Sequence, residues 1–389
     1  MPVLGEDRSF VRNVRLLATS NVVNALLFFV PLGLLAGYTH AGPVAVFVTN
    51  FMAIVPLAGL LADTTEILAD SMGNTIGGLL NATFGNVVEL IVAIVALYRG
   101  EIRLVQTSML GSILSNLLLV LGCAFVAGGY NRLQQTFNQT AAQTMSSLML
   151  VSIISLLIPA AFVFSVPGSL SSDILNISRS SSIVLLAIYG FYLVFQLKTH
   201  HQFFEGEEEA IEQESPAALI QFTQVECISL LAVVTVIVAI CADFLVDSID
   251  SLVETTGISK TFVGFILLPI VGNAAEHVTA ILMAVKNKLD LTMNVAVGSS
   301  MQIALFLLPF LVVWGWVIDQ PMTLYFHGFE STIMLVSVLL ANSLIQDGES
   351  NWLEGMMLIG TYTIIALAFW YYPETGSESW LPILGNLNR

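Results

Sequence analysis

A glycine, an asparagine and a glutamate recur with one spacing at two places in the chain. The two copies are Gly85, Asn86, Glu89 and, 187 residues later, Gly272, Asn273, Glu276. Each copy lies inside an apolar segment long enough to cross a membrane. A charged side chain at bilayer depth costs about 2.5–3.5 kcal/mol on insertion scales. Two glutamates that each carry this cost in matching sequence contexts indicate a function. We predict that they form one bipartite site for a cation and protons.

Helix geometry gives each copy a pair of oxygen-bearing side chains. A step of three residues along a helix rotates the side-chain direction by about 300°. The asparagine and the glutamate of each copy therefore share a face. The glycines, with Pro269 upstream of the second copy, allow the helix to open and free its backbone carbonyls. Carboxylate, amide and carbonyl oxygens are the ligands that Ca²⁺ prefers. The absence of cysteine near the motifs favours a hard cation such as Ca²⁺ or Mn²⁺.

Protons use the same carboxyl groups. Burial favours the neutral form of a glutamate, whereas a bound dication favours the charged form. One site therefore holds either protons or the metal. Two carboxylates balance one Ca²⁺, so exchange of one Ca²⁺ for at least two protons is the simplest stoichiometry.

The composition is that of an integral membrane protein. Of 389 residues, 56% are apolar and 10% are charged, whereas soluble proteins carry about 25% charged residues. We therefore expect the lipid bilayer as a partner, and the net charge of −16 argues against nucleic acid. Cys123, Cys227 and Cys241 lie in or beside apolar segments, so neither a disulfide framework nor a thiolate zinc site is indicated. No resident cofactor is expected, and the sequence predicts no oligomeric state.

A span needs about 20 mostly apolar residues, and on that basis we predict an all-α polytopic protein with eleven transmembrane helices. Helix is expected throughout, because lipid leaves no other way to pair backbone groups outside a closed barrel. The predicted spans are 22–38, 44–69, 75–98, 104–127, 141–164, 181–197, 228–246, 261–285, 293–317, 332–345 and 352–370.

The chain contains an internal duplication. The offset of 187 holds without a gap from Gly85/Gly272 to Ser112/Ser299, and eight of those twenty-eight aligned positions are identical. Because each half has five spans, an odd number, the second half must enter the membrane in the opposite sense, as in secondary transporters built from inverted repeats. The predicted divisions are a short cytosolic N-terminus (1–21), a first helix outside the repeat (22–43), the first repeat (44–198), a cytosolic acidic linker or helix (199–226), the second repeat (227–372) and a C-terminal tail (373–389).

Further polar residues accompany the two motifs. Ser112, Ser299 and Gln302 have two equal interpretations, as cavity lining or as packing residues with satisfied side chains. Asn86 and Asn273 are equally open between ligation and fixing a helix crossing. Additional small or oxygen-bearing residues in the fourth and ninth spans are Gly111, Ser115, Asn116, Gly298 and Ser300.

Other titratable residues lie around the motifs. His277 points about 100° away from Glu276, so a tuning or gating role is favoured over ligation. Glu66, near the end of the second span, either lines an entrance or belongs to a solvated helix end. The acidic run that includes Glu207, Glu208 and Glu209 is by default a solvated linker, with a regulatory helix as the alternative. Seven basic residues against five favour a cytosolic N-terminus.

Several strings carry a family resemblance: GNTIGGLLNATFGNVVELIVAI, PIVGNAAEHVTAI and MLGSILSNLLLVLG. With them the chain resembles the calcium/proton exchanger family of the cation/Ca²⁺ antiporter superfamily, and within it most of all the fungal vacuolar Ca²⁺/H⁺ exchangers. The likeness covers nearly the whole chain. It implies eleven helices, the first outside a five-plus-five inverted repeat, with a cytosolic acidic helix between the halves.

The resemblance also implies an activity and roles for particular residues. It implies a secondary active antiporter in the vacuolar membrane, not an enzyme, that exchanges Ca²⁺, with Mn²⁺ as another possible cargo, for protons. Glu89 and Glu276 match the exchanged-ion carboxylates. The polar lining matches at Asn86, Asn273, Ser112, Ser299 and Gln302, the cavity-mouth acid at Glu66, and the histidine after the second motif glutamate at His277.

Three rival functions remain at this point. A sodium-coupled Ca²⁺ exchanger would share the repeat, and His277 with few extra site carboxylates favours protons over sodium. A membrane metal hydrolase would need a His-Glu-x-x-His or related spacing, which the chain lacks. A passive channel would equilibrate Ca²⁺ and never accumulate it.

Overall fold

The computed structural model describes residues 10–19, 21–166, 171–200 and 222–372. Most of the predicted acidic linker, including Glu207, Glu208 and Glu209, lies outside the described residues, and so does the tail 373–389. The helices are α1 (Phe10–Thr19), α2 (Phe29–Tyr38), α3 (Pro43–Met72), α4 (Asn74–Phe84), α5 (Val87–Tyr98), α6 (Ile102–Gly129), α7 (Gln139–Ser165), α8 (Ser171–Thr199), α9 (Gln224–Thr256), α10 (Lys260–Gly272), α11 (Ala274–Val285), α12 (Leu289–Val317), α13 (Gly328–Ile345) and α14 (Trp352–Trp370).

The described helices include eight that are long and apolar enough to cross a membrane, or up to ten if each of two bent pairs is one span. The sequence predicted eleven spans. The difference lies in the predicted span 75–98, which the structure divides into α4 and α5. α5 is apolar but has only 12 residues.

Both motif-bearing segments are broken helices. α4 ends at Phe84 and α5 begins at Val87, so the first break is at Gly85 and Asn86. α10 ends at Gly272 and α11 begins at Ala274, with a bend of 55° between them. The breaks therefore lie at the motif glycines and asparagines, where the sequence predicted that the helix could open.

Two further features differ from the sequence prediction. The N-terminal segment, expected only to be polar, contains α1, whose Leu17 is buried with Ile67, Leu68 and Cys227. Two connections form a short antiparallel pair, β1 (Gln135–Thr136) and β2 (Glu349–Ser350), with Gln135 opposite Ser350. The expectation of helix throughout is wrong for this pair, because connections outside the bilayer can satisfy their backbone groups with each other.

α6 and α12 are the most deeply buried of the long apolar helices. Small residues let neighbouring helices approach them closely. A Cβ atom on Gly111 of α6 would lie 2.2 Å from the carbonyl oxygen of Phe265 in α10. Further out, α3 packs along α9, and the last part of α6 packs against α14. Each of the two broken helices also contacts α6 and α12.

Candidate functional site

Each motif glutamate occupies the first turn of a helix that begins at a break. Glu89 is the third residue of α5, and Glu276 is the third residue of α11. The N-terminus of a helix carries about half a positive elementary charge, which favours a carboxylate in the first turn. Both glutamates therefore have the same local backbone setting in the two halves of the chain.

Asn86 and Asn273 stand at the N-cap positions of these two helices, yet neither side chain caps its own helix. An N-cap asparagine ordinarily accepts a hydrogen bond from its own first turn. Here Nδ2 of Asn86 donates to Oε1 of Gln302 at 2.9 Å, and Nδ2 of Asn273 donates to the carbonyl of Ser112 at 3.2 Å. Each asparagine thus bonds to the other half of the chain.

Ser299 joins the two motifs. Its hydroxyl donates to Oδ1 of Asn86 at 2.6 Å, and Oε1 of Glu276 lies 3.4 Å away as an alternative acceptor. The hydroxyl oxygen of Ser299 also accepts a hydrogen bond from Nδ2 of Asn116 at 3.0 Å. Since one hydroxyl proton serves two acceptors, a change of charge on Glu276 alters the bond that positions Asn86.

Glu89 lies against the break in the opposite half. A Cβ atom on Gly272 would lie 3.0 Å from Oε1 of Glu89, and Gly272 precedes Glu276 by about one helical turn. A cavity of about 30 Å³ adjoins Glu89 and is lined also by Ser108, Ser112 and Pro269 among apolar residues. This volume is enough for an ordered water molecule or a dehydrated ion.

Several buried oxygens around the motifs have no hydrogen-bond partner among the described residues: Oε1 of Glu89, Oε2 of Glu276, Oδ1 of Asn116 and Oδ1 of Asn273. An unpaired buried polar group costs about 1–3 kcal/mol, and more if it is charged. Two carboxylate and two amide oxygens are a hard-cation donor set. The described residues contain no group of three or more His, Cys, Asp or Glu side chains placed to hold a metal.

The central helices carry matching irregularities beside the motifs. α6 has a π-helical segment at Ser115–Val120, and α12 has two, at Asn294–Gly298 and Ile303–Leu307. With the offset of 187, residues 116–120 correspond to 303–307. π-Helical turns inside α-helices are frequent at functional sites. The segment in α6 begins at Ser115, and the second segment in α12 begins directly after Gln302, the residue that matches Ser115 in the duplication.

The remaining predicted residues are Gly85, His277 and Glu66, which lie around the hydrogen bonds that join the two motifs. Gly85 is exposed, and a Cβ atom on it would lie 3.5 Å from Oε1 of Gln302. His277 is half-buried, and its backbone N–H bonds to the carbonyl of Asn273 at 2.9 Å. Glu66 is half-buried on α3. The hydrogen bonds described above involve neither the imidazole of His277 nor the carboxyl group of Glu66.

Asn116 is the residue whose role was not predicted from the sequence. It counted only as one of several oxygen-bearing residues of its span, whereas the structure places it fully buried in direct contact with Ser299. The available signal was its position one helical turn after Ser112. That spacing puts the two side chains on one face of α6.

Comparison with known proteins agrees with this architecture. The family model described as sodium/calcium exchanger protein matches residues 42–198 and 227–371. A vacuolar calcium ion transporter of Schizosaccharomyces pombe is 50% identical over 96% of this chain and 93% of its own length. A Ca²⁺/H⁺ antiporter of Aphanothece halophytica is 43% identical over 92% of this chain and 98% of its own.

A solved structure agrees as well. The structure of native YfkE has a TM-score of 0.76 and 35% sequence identity, and the match covers 92% of this chain and 100% of that one. The family model covers two blocks that each contain one motif copy. On this evidence the chain belongs to the sodium/calcium exchanger protein family.

Proposed function

We propose that this protein is a secondary active antiporter that exchanges Ca²⁺ for protons across a membrane by alternating access. The observation that carries the proposal is the pair Glu89 and Glu276, which are set in matching helix breaks, have unpartnered buried oxygens, and are linked to the opposite half through Gly272 and Ser299. The relatives add support: the Aphanothece protein is named a Ca²⁺/H⁺ antiporter, and so is YfkE.

The charge balance of the pair explains the coupling. Two buried carboxylates that interact electrostatically need a neutralising partner. One Ca²⁺ supplies two positive charges, and one proton on each glutamate supplies the same. The loaded site is therefore neutral with either cargo. The simplest exchange is one Ca²⁺ for two protons. Mn²⁺ fits the same oxygen donors.

We assign the cation ligands by the oxygens that the motifs present. Glu89 and Glu276 provide the carboxylates, Asn86 and Asn273 provide amide oxygens, and the helix breaks provide the carbonyls of Gly85 and Gly272. Ser112, Ser299 and Gln302 line the site and set the orientation of the two asparagines. His277 and Glu66 act further out, as a gating neighbour and a cavity-mouth acid.

We place this site between two inverted repeats. α4 and α5 then count as one broken span, like α10 and α11, which gives eleven spans in all. The first repeat is 44–198 and the second is 227–372, with the helix before residue 44 outside both. Half-helices that meet at the midplane are typical of ion sites in such transporters.

The names of the relatives support a compartment. Proteins named as vacuolar calcium or cation/proton transporters include those of Schizosaccharomyces pombe and Arabidopsis thaliana. We therefore propose a multi-pass protein of the vacuolar membrane that moves Ca²⁺ out of the cytosol, driven by the acidic lumen. The excess of basic residues on the N-terminal side supports a cytosolic N-terminus.

Ca²⁺ uptake into sealed vesicles tests the exchange. With the purified protein, an acidic interior and sodium-free buffer, we expect Ca²⁺ to accumulate and a protonophore to abolish the accumulation. Vesicles without protein are the control. Uptake that persists after the pH gradient collapses, or that follows an imposed sodium gradient, would contradict proton coupling.

Ser299→Ala tests the link between the motifs. Removing the hydroxyl leaves Oδ1 of Asn86 and Nδ2 of Asn116 without their partner. We expect the ratio kcat/KM for Ca²⁺ to fall about tenfold, since a hydrogen bond between neutral groups contributes about 0.5–1.5 kcal/mol. Ser182→Ala is the matched control, because the buried hydroxyl of Ser182 bonds within its own helix to Ser178. Equal effects of the two substitutions would contradict the assignment.

A further inference from the structure

The two motif asparagines are bonded differently, although they occupy matching positions in the duplication. Both atoms of the Asn86 amide are bonded: Oδ1 accepts from the hydroxyl of Ser299 at 2.6 Å, and Nδ2 donates to Oε1 of Gln302 at 2.9 Å. In Asn273, Nδ2 donates to the carbonyl of Ser112 at 3.2 Å, whereas Oδ1 has no hydrogen-bond partner among the described residues. Of the two amide oxygens, that of Asn273 is therefore the one available to a cation in this state.

The side chains that bond to Asn86 have counterparts in the first repeat. With the offset of 187, Ser299 corresponds to Ser112 and Gln302 corresponds to Ser115. The two serines lie about one helical turn apart in α6. A copy of the Asn86 pattern would bond the second asparagine to both of their hydroxyls. In this structure that asparagine donates to a backbone carbonyl instead.

The hydroxyl of Ser115 differs from the buried hydroxyls that bond within their own helices. Ser152 donates to the carbonyl of Leu148 at 2.9 Å, and Ser300 donates to that of Ala296 at 2.8 Å. Ser115 is completely buried, yet its hydroxyl has no hydrogen-bond partner among the described residues. A buried polar group without a partner is costly. This hydroxyl is therefore suited to a partner that it meets in another arrangement of the site.

Asn273 is the nearby group that can supply this partner. The backbone N–H of Ser115 donates to the carbonyl of Ser112, and the same carbonyl accepts from Nδ2 of Asn273. The asparagine amide and the start of Ser115 thus share one acceptor. A short shift of the amide along α6 therefore brings it to the hydroxyls of Ser112 and Ser115.

Tyr362 of α14 adds a further hydroxyl beside Ser115. Tyr362 is buried, and its hydroxyl is close enough to that of Ser115 to interact with it. Their present geometry does not form a hydrogen bond, since neither oxygen has a partner among the described residues. A hydroxyl donates one proton and accepts others. Tyr362 can therefore donate to Ser115 while Ser115 accepts Nδ2 of Asn273 and turns its own proton to a carbonyl of α6.

The copied arrangement would bond three oxygens that the present one leaves without a partner among the described residues: Oδ1 of Asn273 and the hydroxyls of Ser115 and Tyr362. Ser112 would donate to Oδ1 of Asn273, as Ser299 does to Asn86 here. A cation at Oδ1 of Asn273 instead favours the present arrangement, because it coordinates that oxygen. The cation and the Ser112 hydroxyl therefore compete for one amide oxygen.

We propose that Ser115 and Tyr362 are positioning residues that hold Asn273 in a second arrangement, in which Asn273 is bonded as Asn86 is here. The two asparagines then act in turn: the bonded one fixes a helix crossing, and the other presents its oxygen to the cation. Alternating access moves one repeat against the other around the site, so the two halves exchange these arrangements. The inference rests on the site and the repeat layout proposed above.

Exchange of labelled for unlabelled Ca²⁺ across proteoliposomes, with saturating Ca²⁺ on both sides, measures the rate of alternation. We expect Ser115→Ala to lower the maximal rate about three- to tenfold, since the second arrangement loses a hydrogen bond between neutral groups. Tyr362→Phe, which keeps the ring, should lower it about two- to threefold. The double variant should behave like Ser115→Ala alone, because Tyr362 acts through Ser115. Ser152→Ala is the matched control, because Ser152 is as buried as Ser115 and bonds within its own helix.

Equilibrium binding of Ca²⁺ to the purified variants at fixed pH separates a positioning role from a structural one. Each arrangement presents one asparagine oxygen, so a shift between them should leave Kd within about twofold of the parent value. A Kd weakened in proportion to the rate would overturn the proposal, as would an unchanged rate in Ser115→Ala, additive effects in the double variant, or an equal effect of Ser152→Ala. Labelled exchange needs no pH gradient, so a failure of proton coupling would appear only in the uptake assay.

Discussion

Glu89→Gln and Glu276→Gln are each expected to reduce Ca²⁺ uptake driven by a pH gradient by about 100-fold or more. Glutamine keeps the size of the side chain but neither carries the negative charge nor releases a proton. The substitution removes one of the two carboxylates that balance bound Ca²⁺, and loss of one member of a buried pair of opposite charges costs about 3–5 kcal/mol, which exceeds two factors of ten. The measurement is the initial rate of uptake in proteoliposomes that contain equal amounts of each variant.

Folding must be controlled separately in this experiment. Glutamine relieves the cost of a buried charge, so both variants should be at least as thermally stable as the parent and elute alike on size exclusion. Glu349→Gln, in the exposed part of β2, removes the same charge far from the motifs and should retain full uptake. Proton-driven uptake near the parent rate in either site variant would refute the bipartite site.

Gly111→Ala is expected to give the largest loss of stability. The added Cβ atom would lie 2.2 Å from the carbonyl oxygen of Phe265 and 2.6 Å from Cγ of Pro269. Because the first of these is a backbone atom of α10, α6 and α10 must move apart. Overpacking of this kind costs about 1–3 kcal/mol, and it displaces the helix that carries Ser112. We expect a Tm lower by several degrees and reduced uptake.

Gly190→Ala is the matched control for that substitution. Gly190 also lies in a membrane helix, α8, but a Cβ atom there meets nothing within 4 Å. Alanine has the higher helix propensity, by about 1 kcal/mol, so Tm should stay the same or rise. A Gly111→Ala protein as stable as Gly190→Ala would show that α6 and α10 are less tightly packed than the structure indicates.

The sequence determined the outline of the site because its signals are local. A glutamate three residues after an asparagine lies on the same helical face in any helix, and a glycine before them permits a break. The structure places the breaks at Gly85–Asn86 and at Asn273, as these residue types predicted. The duplication was equally readable, since a constant offset needs no knowledge of packing.

The number of membrane spans was harder to predict from the sequence than the site. A hydropathy count does not distinguish a continuous span from two half-helices, so residues 75–98 were one predicted span and are two helices in the structure. Likewise, the polar N-terminal residues gave little sign of α1, because its stability depends on burying Leu17 against α3 and α9. Both differences arise where contacts with other helices decide whether a short helix forms.

Only the tertiary structure decided which side chains meet. Asn86 bonds to Gln302, 216 residues away, and Arg103 pairs with Glu330, 227 residues away. Sequence spacing carries no information on such pairs, because they depend on how rigid helices pack and on which face each one turns to its neighbour. The residue types determined what chemistry the chain can perform, whereas helix packing determined which oxygens converge.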